Sequence, residues 1–218
     1  MTGVDALSQS TQDYLKALWS LGEWDATGVT VTALAERLGV RTSTASDGLR
    51  KLADQGFVEH APYGAIALTE AGTAHALAMV RRHRLLETYL ERQLGYSWDE
   101  VHEEAEALEH AVSDAFVDRI DSVLGHPTRD PHGDPIPPKA GAHVLPEAVP
   151  LATVSPGVRA VVARISDASG DRLRAFAQAG ILPDAVVTVG ASGELSVGQG
   201  SYELREGDAA ALWVIPQS

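Results

Sequence analysis

The sequence predicts a mostly α-helical chain with a small β domain: a winged helix-turn-helix, a helical dimerisation domain and a C-terminal SH3-like β-barrel. Three observations carry that prediction. Two short helical patterns are separated by Gly39 and followed by a hairpin-like stretch. Long amphipathic patterns then run from Thr69 to Leu124. After a proline-dense segment, the texture changes to short apolar strands from Leu151 onward. The implied division is 1–72 for the winged helix-turn-helix, 73–140 for the long-helix domain, 141–150 for a linker and 151–218 for the β domain.

In order, Ser10 to Leu21 reads as an amphipathic helix capped by Ser10, with Tyr14, Leu15, Leu18 and Trp19 on its apolar face. Asp13 falls in its first turn, where a carboxylate is explained by the positive helix end alone. Thr30 to Leu38 forms a short helix ending at Gly39, and Ser43 to Gln55 a second one ending at Gly56. Phe57 to His60, a turn at Pro62-Tyr63-Gly64, and Ala65 to Leu68 read as a hairpin, so the unit is a winged helix. Its second helix presents Thr42, Ser43, Thr44, Ser46 and Asp47, with Arg41 before them and Arg50 and Lys51 after. Hydroxyls at the start of such a helix suit base edges and phosphates, and basic side chains suit phosphates. A plain protein-interaction module is the alternative.

From Thr69 a long helix runs to about Leu94, carrying His83 and Glu87 four residues apart on one face. Ser97 and Glu100 have capping-box spacing and open a further helix expected to continue through Val112, Phe116, Val117, Ile120 and Leu124. Within it, Val101 to His110 sets His102, Glu106, Glu109 and His110 on one stripe. Imidazole and carboxylate donors gathered this way suit a divalent ion such as Mn, Fe or Zn, and a solvated acidic face is the bland alternative. The apolar stripes at Leu85 to Leu94 and Val112 to Leu124 are wide enough to pair two copies. His126 to Pro150 reads as an irregular linker, and His126, His132 and His143 as histidines that could bind metal, although loop histidines in a linker usually do not. Strands are expected at Val158–Val162, Val186–Val189, Tyr202–Leu204 and Ala211–Ile215, with a helix from Asp171 to Ala179. Gly198 to Gly200 is a turn, too short to cradle phosphate.

The chain has no cysteine, which excludes disulfides and thiolate metal sites. No apolar run is long enough for a membrane span, and Met1 to Ala6 lacks a signal-peptide pattern, so a cytoplasmic protein is expected. A net charge of −13 argues against indiscriminate affinity for nucleic acid. His102-Glu103-Glu104-Ala105-Glu106 begins like the zinc-hydrolase pattern His-Glu-x-x-His but ends in Glu, and no pair of Glu-x-x-His repeats marks a di-iron bundle. Neither enzyme reading is complete, so no enzymatic activity is expected.

Three stretches in order, Arg82-His83-Arg84-Leu85-Leu86-Glu87, Val101 to His110 and Pro131-His132-Gly133-Asp134-Pro135-Ile136-Pro137, resemble the diphtheria-toxin-repressor family of metal-dependent transcriptional repressors. The resemblance covers nearly the whole chain. It implies a homodimer that binds double-stranded operator DNA when Mn(II) is bound and controls manganese homeostasis genes. Fe(II), Co(II) or another divalent ion is the alternative effector. It implies a primary site of Asp13, Glu106, Glu109 and His110. It implies an ancillary site of His83, Glu87 and His102, completed from Ser166 to Arg172, where Asp167 and Asp171 are the available acids. Iron-sensing members place Met and Cys where this chain has Asp13 and Glu106. Compact manganese sensors carry an acid near Lys16, so their paired-ion site is not expected here.

Overall fold

The structure is a computed structural model and describes residues 7–24, 28–60, 66–191 and 193–217, with His60 described in its backbone only. The turn expected at Pro62-Tyr63-Gly64 and residue Ala65 lie outside these, as does the segment Met1 to Ala6. The chain forms two compact units. The first takes in the chain up to His83 together with Glu109–Val117, and the second comprises Arg84–Leu108 and Asp118–Ser218.

In the first unit, α1 (Gln9–Glu23), α2 (Val31–Arg37) and α3 (Thr42–Asp54) precede the antiparallel pair β1 (Val58–His60) and β2 (Ile66–Leu68). Helix α1 starts earlier than expected because Ser8, not Ser10, caps it: the Ser8 hydroxyl accepts the N–H of Thr11. Asp13 therefore stands in the second turn, and the dipole of the helix end does not explain it. Thr30 caps α2 in the same manner, accepting from Ala33. Tyr14, Leu15, Leu18, Leu34, Leu49, Leu52 and Val58 close one apolar core, which the helical period of each element supplies. The Tyr14 ring lies over Gly48 of α3, where a β-carbon would stand 2.3 Å from two ring carbons, and its hydroxyl donates to the Thr44 carbonyl at 3.1 Å. Helix α1 is thus keyed to the first turns of α3.

Helix α4 (Glu70–Leu94) begins in the first unit and ends in the second. Thr69 opens it: the hydroxyl accepts from the Gly72 N–H and donates to the Gly56 carbonyl. The single helix expected from Ser97 to Leu124 is two, α5 (Val101–Leu108) and α6 (Asp114–Val123). Ser97 and Glu100 do pair across the turn before α5. The break comes at Ser113, whose hydroxyl accepts the Phe116 N–H and starts α6 afresh. Glu109 and His110 thus stand in the turn after α5, and the expected four-residue helical stripe does not exist.

In the second unit, a six-stranded antiparallel sheet has the order β3-β8-β4-β5-β6-β7. Its strands are β3 (Val149–Pro150), β4 (Arg159–Ile165), β5 (Val186–Val189), β6 (Glu194–Val197), β7 (Gly200–Glu203) and β8 (Leu212–Pro216). The end strands β3 and β7 do not pair with each other, so the sheet is an open version of the SH3-like barrel. Helix α7 (Gly170–Gln178), capped by Ser169, sets Leu173 and Phe176 into a core with Val162, Ile165, Val187, Leu195, Leu212 and Val214. Among the described residues no helix is long and apolar enough to cross a membrane.

Candidate metal centre and nucleic-acid interface

Three residues of the expected primary site meet in the first unit. One donor atom from each of Asp13, Glu109 and His110 lies within 4.8 Å of the others, a span that one ion with bonds of roughly 2–2.6 Å can bridge. His110 is oriented for the purpose. Its Nδ1 donates to the Gln12 side-chain oxygen at 2.7 Å, so Nε2 carries the lone pair, 2.8 Å from Asp13 Oδ1 and 3.4 Å from Glu109 Oε1. A lone pair aimed at two carboxylate oxygens calls for a second proton or a cation.

Glu109 is fully buried. Its Oε1 lies 2.5 Å from Lys16 Nζ and its Oε2 2.7 Å from His83 Nδ1. Burial alone would raise the pKa of this carboxyl, but the hydrogen bond and charge of His83 and the Lys16 ammonium hold it below the ordinary carboxylate range. Arg82 fixes the turn, donating to the Glu109 carbonyl at 3.0 Å and to Asp114 at 2.6 Å. His83 thus also meets a primary-site carboxylate, a contact that its spacing from Glu87 did not foretell. Glu106 belongs to the second unit, where its carboxylate lies 3.6 Å from His102 Nε2.

The second unit gathers Glu87, His102 and Asp167, with His102 Nδ1 2.8 Å from Asp167 and 3.3 Å from Glu87. Burial would depress the His102 pKa, but hydrogen bonds to Asp167 and Glu87, and their charges, outweigh it and push the value up to about 10. Asp171 is not brought there: its side chain is 92% exposed and bonded to Arg174.

A second donor set shares Glu87 and comes from the stretch read as a linker. Glu87, Asp130 and His132 are all buried, with donor atoms within 4.8 Å of one another. The stretch is a packed turn, not a linker, because long-range bonds hold it. Asp130 Oδ1 accepts the N–H groups of His132 and Asp134, and Arg84 donates to the Pro135 carbonyl. The Arg164 Nε is 2.9 Å from both Asp134 oxygens, and the His132 carbonyl accepts from Ile165 of β4. Gly133 adopts φ +94°, and a β-carbon there would stand 2.2 Å from the Ala163 carbonyl oxygen. His132 Nε2 donates to the Trp98 carbonyl at 2.7 Å, leaving Nδ1 able to hold an ion. Burial pushes the Asp130 carboxyl well up, reinforced by the charges of Asp134 and Glu87. Burial would lower His132, but the charges of Glu87, Asp130 and Asp167 raise it on balance. Pro131 to Pro137 carried the only signal for this set. His126 bonds to Asp121 at the surface, and His143 joins neither donor set.

Also in the first unit, Arg41, Thr42, Ser43, Thr44, Asp47, Arg50 and Lys51 are all exposed at the start and along one side of α3. Ser46 is half-buried and donates to the Thr42 carbonyl, while Asp47 pairs with Arg50 at 3.1 Å.

The comparisons with known proteins agree with this layout. Residues 6–66 match the family model described as iron dependent repressor, N-terminal DNA binding domain, and residues 69–138 match iron dependent repressor, metal binding and dimerisation domain. The iron-dependent repressor IdeR of Mycobacterium tuberculosis is 33% identical over 202 residues, 85% of this chain and 86% of that protein. The chain belongs to the iron-dependent, or diphtheria-toxin-repressor, family. Its third part, residues 149–216, matches the FeoA domain model. Among solved structures, a manganese-dependent transcriptional repressor in complex with manganese is 49% identical, with a TM-score of 0.90, over 95% of this chain and all of that one. The manganese regulator SloR is 26% identical with a TM-score of 0.80, over 97% of this chain and all of the other. Members of the repressor family are thus similar to this chain along nearly its full length.

Proposed function

We propose that this chain is a manganese-dependent homodimeric transcriptional repressor that binds operator DNA when Mn(II) occupies a regulatory site and that controls manganese homeostasis genes. The carrying observation is His110, held by Gln12 so that its lone pair meets Asp13 and Glu109. These donors, oxygen and imidazole without sulfur, fit Mn(II) well. A bound ion supplies positive charge to a set that Lys16 neutralises only in part. Asp13 sits on α1, whose next residue, Tyr14, is keyed to α3, so ordering Asp13 against the turn at Glu109 and His110 orders the helix that presents Thr42 to Thr44. Glu106 enters the primary set by the resemblance. In the second unit, Glu87 is the shared donor, with His102 and Asp167 on one side and Asp130 and His132 on the other.

Residues 1–72 serve DNA, 73–140 dimerisation and metal, and 151–218 the β domain, in a regulator acting in the cytoplasm and not in an enzyme. Leu94, Phe116 and Val123 are large apolar side chains left exposed on α4 and α6, as pairing of two copies requires. Iron(II) is the second candidate effector, because IdeR, named for iron, is 33% identical. Gel shifts with the promoter of a manganese importer test the reading. Retardation is expected with Mn(II) and not with chelator, and equal retardation in both would refute metal gating.

A further inference from the structure

Lys16 is the residue in the primary cluster that metal coordination does not use. It lies on α1 three residues beyond Asp13, with its side chain 8% exposed and its ammonium 2.5 Å from Glu109 Oε1. That oxygen is the one nearest His110 Nε2, at 3.4 Å, and so the one an ion held by Asp13 and His110 would take. The other oxygen is engaged by His83. An incoming ion therefore has to take an oxygen that an existing partner holds, and the partner at Oε1 carries a positive charge itself.

We propose that Lys16 is a built-in rival of the ion: its ammonium holds Glu109 when no ion is bound, and its displacement sets the metal concentration at which the repressor switches. The inference rests on the primary site proposed above. The charges support it. Asp13 and Glu109 bring two negative charges and Lys16 returns one, so these three groups together carry net charge −1, and −2 once Lys16 is made neutral. Lys16 also satisfies a buried carboxylate that would otherwise stand against Asp13, which keeps the ion-free fold intact at a cost in affinity. It sets affinity through Glu109 and is not itself a ligand.

The test compares wild type, Lys16→Met and Lys16→Arg as full-length proteins in a Glu87→Gln background, which removes the donor shared by the second unit's sets. Mn(II) dissociation constants come from competition with a chelating indicator, and melting temperatures are taken with and without Mn(II). Lys16→Met should bind Mn(II) about thirty-fold more tightly, about 2 kcal/mol. Its ion-free form should melt several degrees lower, with the loss recovered on adding Mn(II). Lys16→Arg keeps the charge and should stay within about three-fold of wild type. If Lys16→Met melts lower yet binds Mn(II) no more tightly, Lys16 is merely a structural partner and the inference is overturned. If Lys16→Met does not fold, a Lys16→Arg dissociation constant more than tenfold from wild type overturns it, and one within threefold upholds the role of the charge. Failure of the wild-type background to bind Mn(II) at all would instead bring down the functional reading on which the inference rests.

Discussion

Replacing Gly48 with alanine should weaken both the fold and operator binding, although alanine is the better helix former. Within α3 the substitution gains about 1 kcal/mol of helix propensity. Against that, the new β-carbon would stand 2.3 Å from Cε1 and Cζ of Tyr14 and 2.6 Å from its hydroxyl. The ring is buried in the first unit's core, so it cannot swing aside as a flexible chain end would. Overpacking of this kind costs about 1–3 kcal/mol. A displaced ring also loses its bond to the Thr44 carbonyl, about 1 kcal/mol more. The net destabilisation is about 2 kcal/mol, since the steric and hydrogen-bond losses together exceed the propensity gain. Urea unfolding followed by circular dichroism measures it, and fluorescence anisotropy with labelled operator should show about a tenfold loss of affinity in Mn(II), 1.4 kcal/mol. A variant as stable as wild type, with operator affinity unchanged, would refute the keyed contact between α1 and α3.

Further expectations concern the second unit and the DNA face. Gly133→Ala forces a left-handed backbone costing about 1–2 kcal/mol and drives a β-carbon onto the Ala163 carbonyl. It should destabilise the second unit by more than that alone, seen as a lowered melting temperature. Because the folded pKa of His102 is raised, the stability from its pairing with Asp167 and Glu87 is fully present below pH 6.5 and lost as pH rises through about 10. The ion-free melting temperature should fall over that window, and His102→Gln should flatten the fall. Lys51→Ala should weaken operator binding evenly across sequences and lower the salt slope by about 1, whereas a changed sequence preference would place Lys51 on a base.

The local patterns of α1 to α4 were legible because apolar period, capping hydroxyls and terminal glycines agree there. Ser8 and Ser10 are equivalent by local chemistry, and only the Thr11 N–H taken by Ser8 separates them. The break between α5 and α6 did have a signal, Ser113 followed by Asp114, but the apolar positions at Val112, Val117 and Ile120 read through it. Strands β3 and β6 were missed because one has two residues and the other only two apolar ones, Leu195 and Val197. The turn around His132 looked like a linker since proline and glycine preclude a regular element. What orders it is distant in sequence: Arg84, Arg164, Trp98 and Ile165. Burial of Lys16 against Glu109 is likewise a pairing across 93 positions, which no local pattern reports.

The most direct measurement of metal gating is the ratio of operator dissociation constants in chelator and in saturating Mn(II), for wild type and for Asp13→Asn. Wild type should show a ratio within or above the range of about 5–150 common for coupled sites. In Asp13→Asn it should fall close to one while the protein stays folded, because the donor that joins α1 to Glu109 and His110 has lost its charge. A wild-type ratio of one, or an Asp13→Asn ratio equal to the wild type's, would contradict gating through this site.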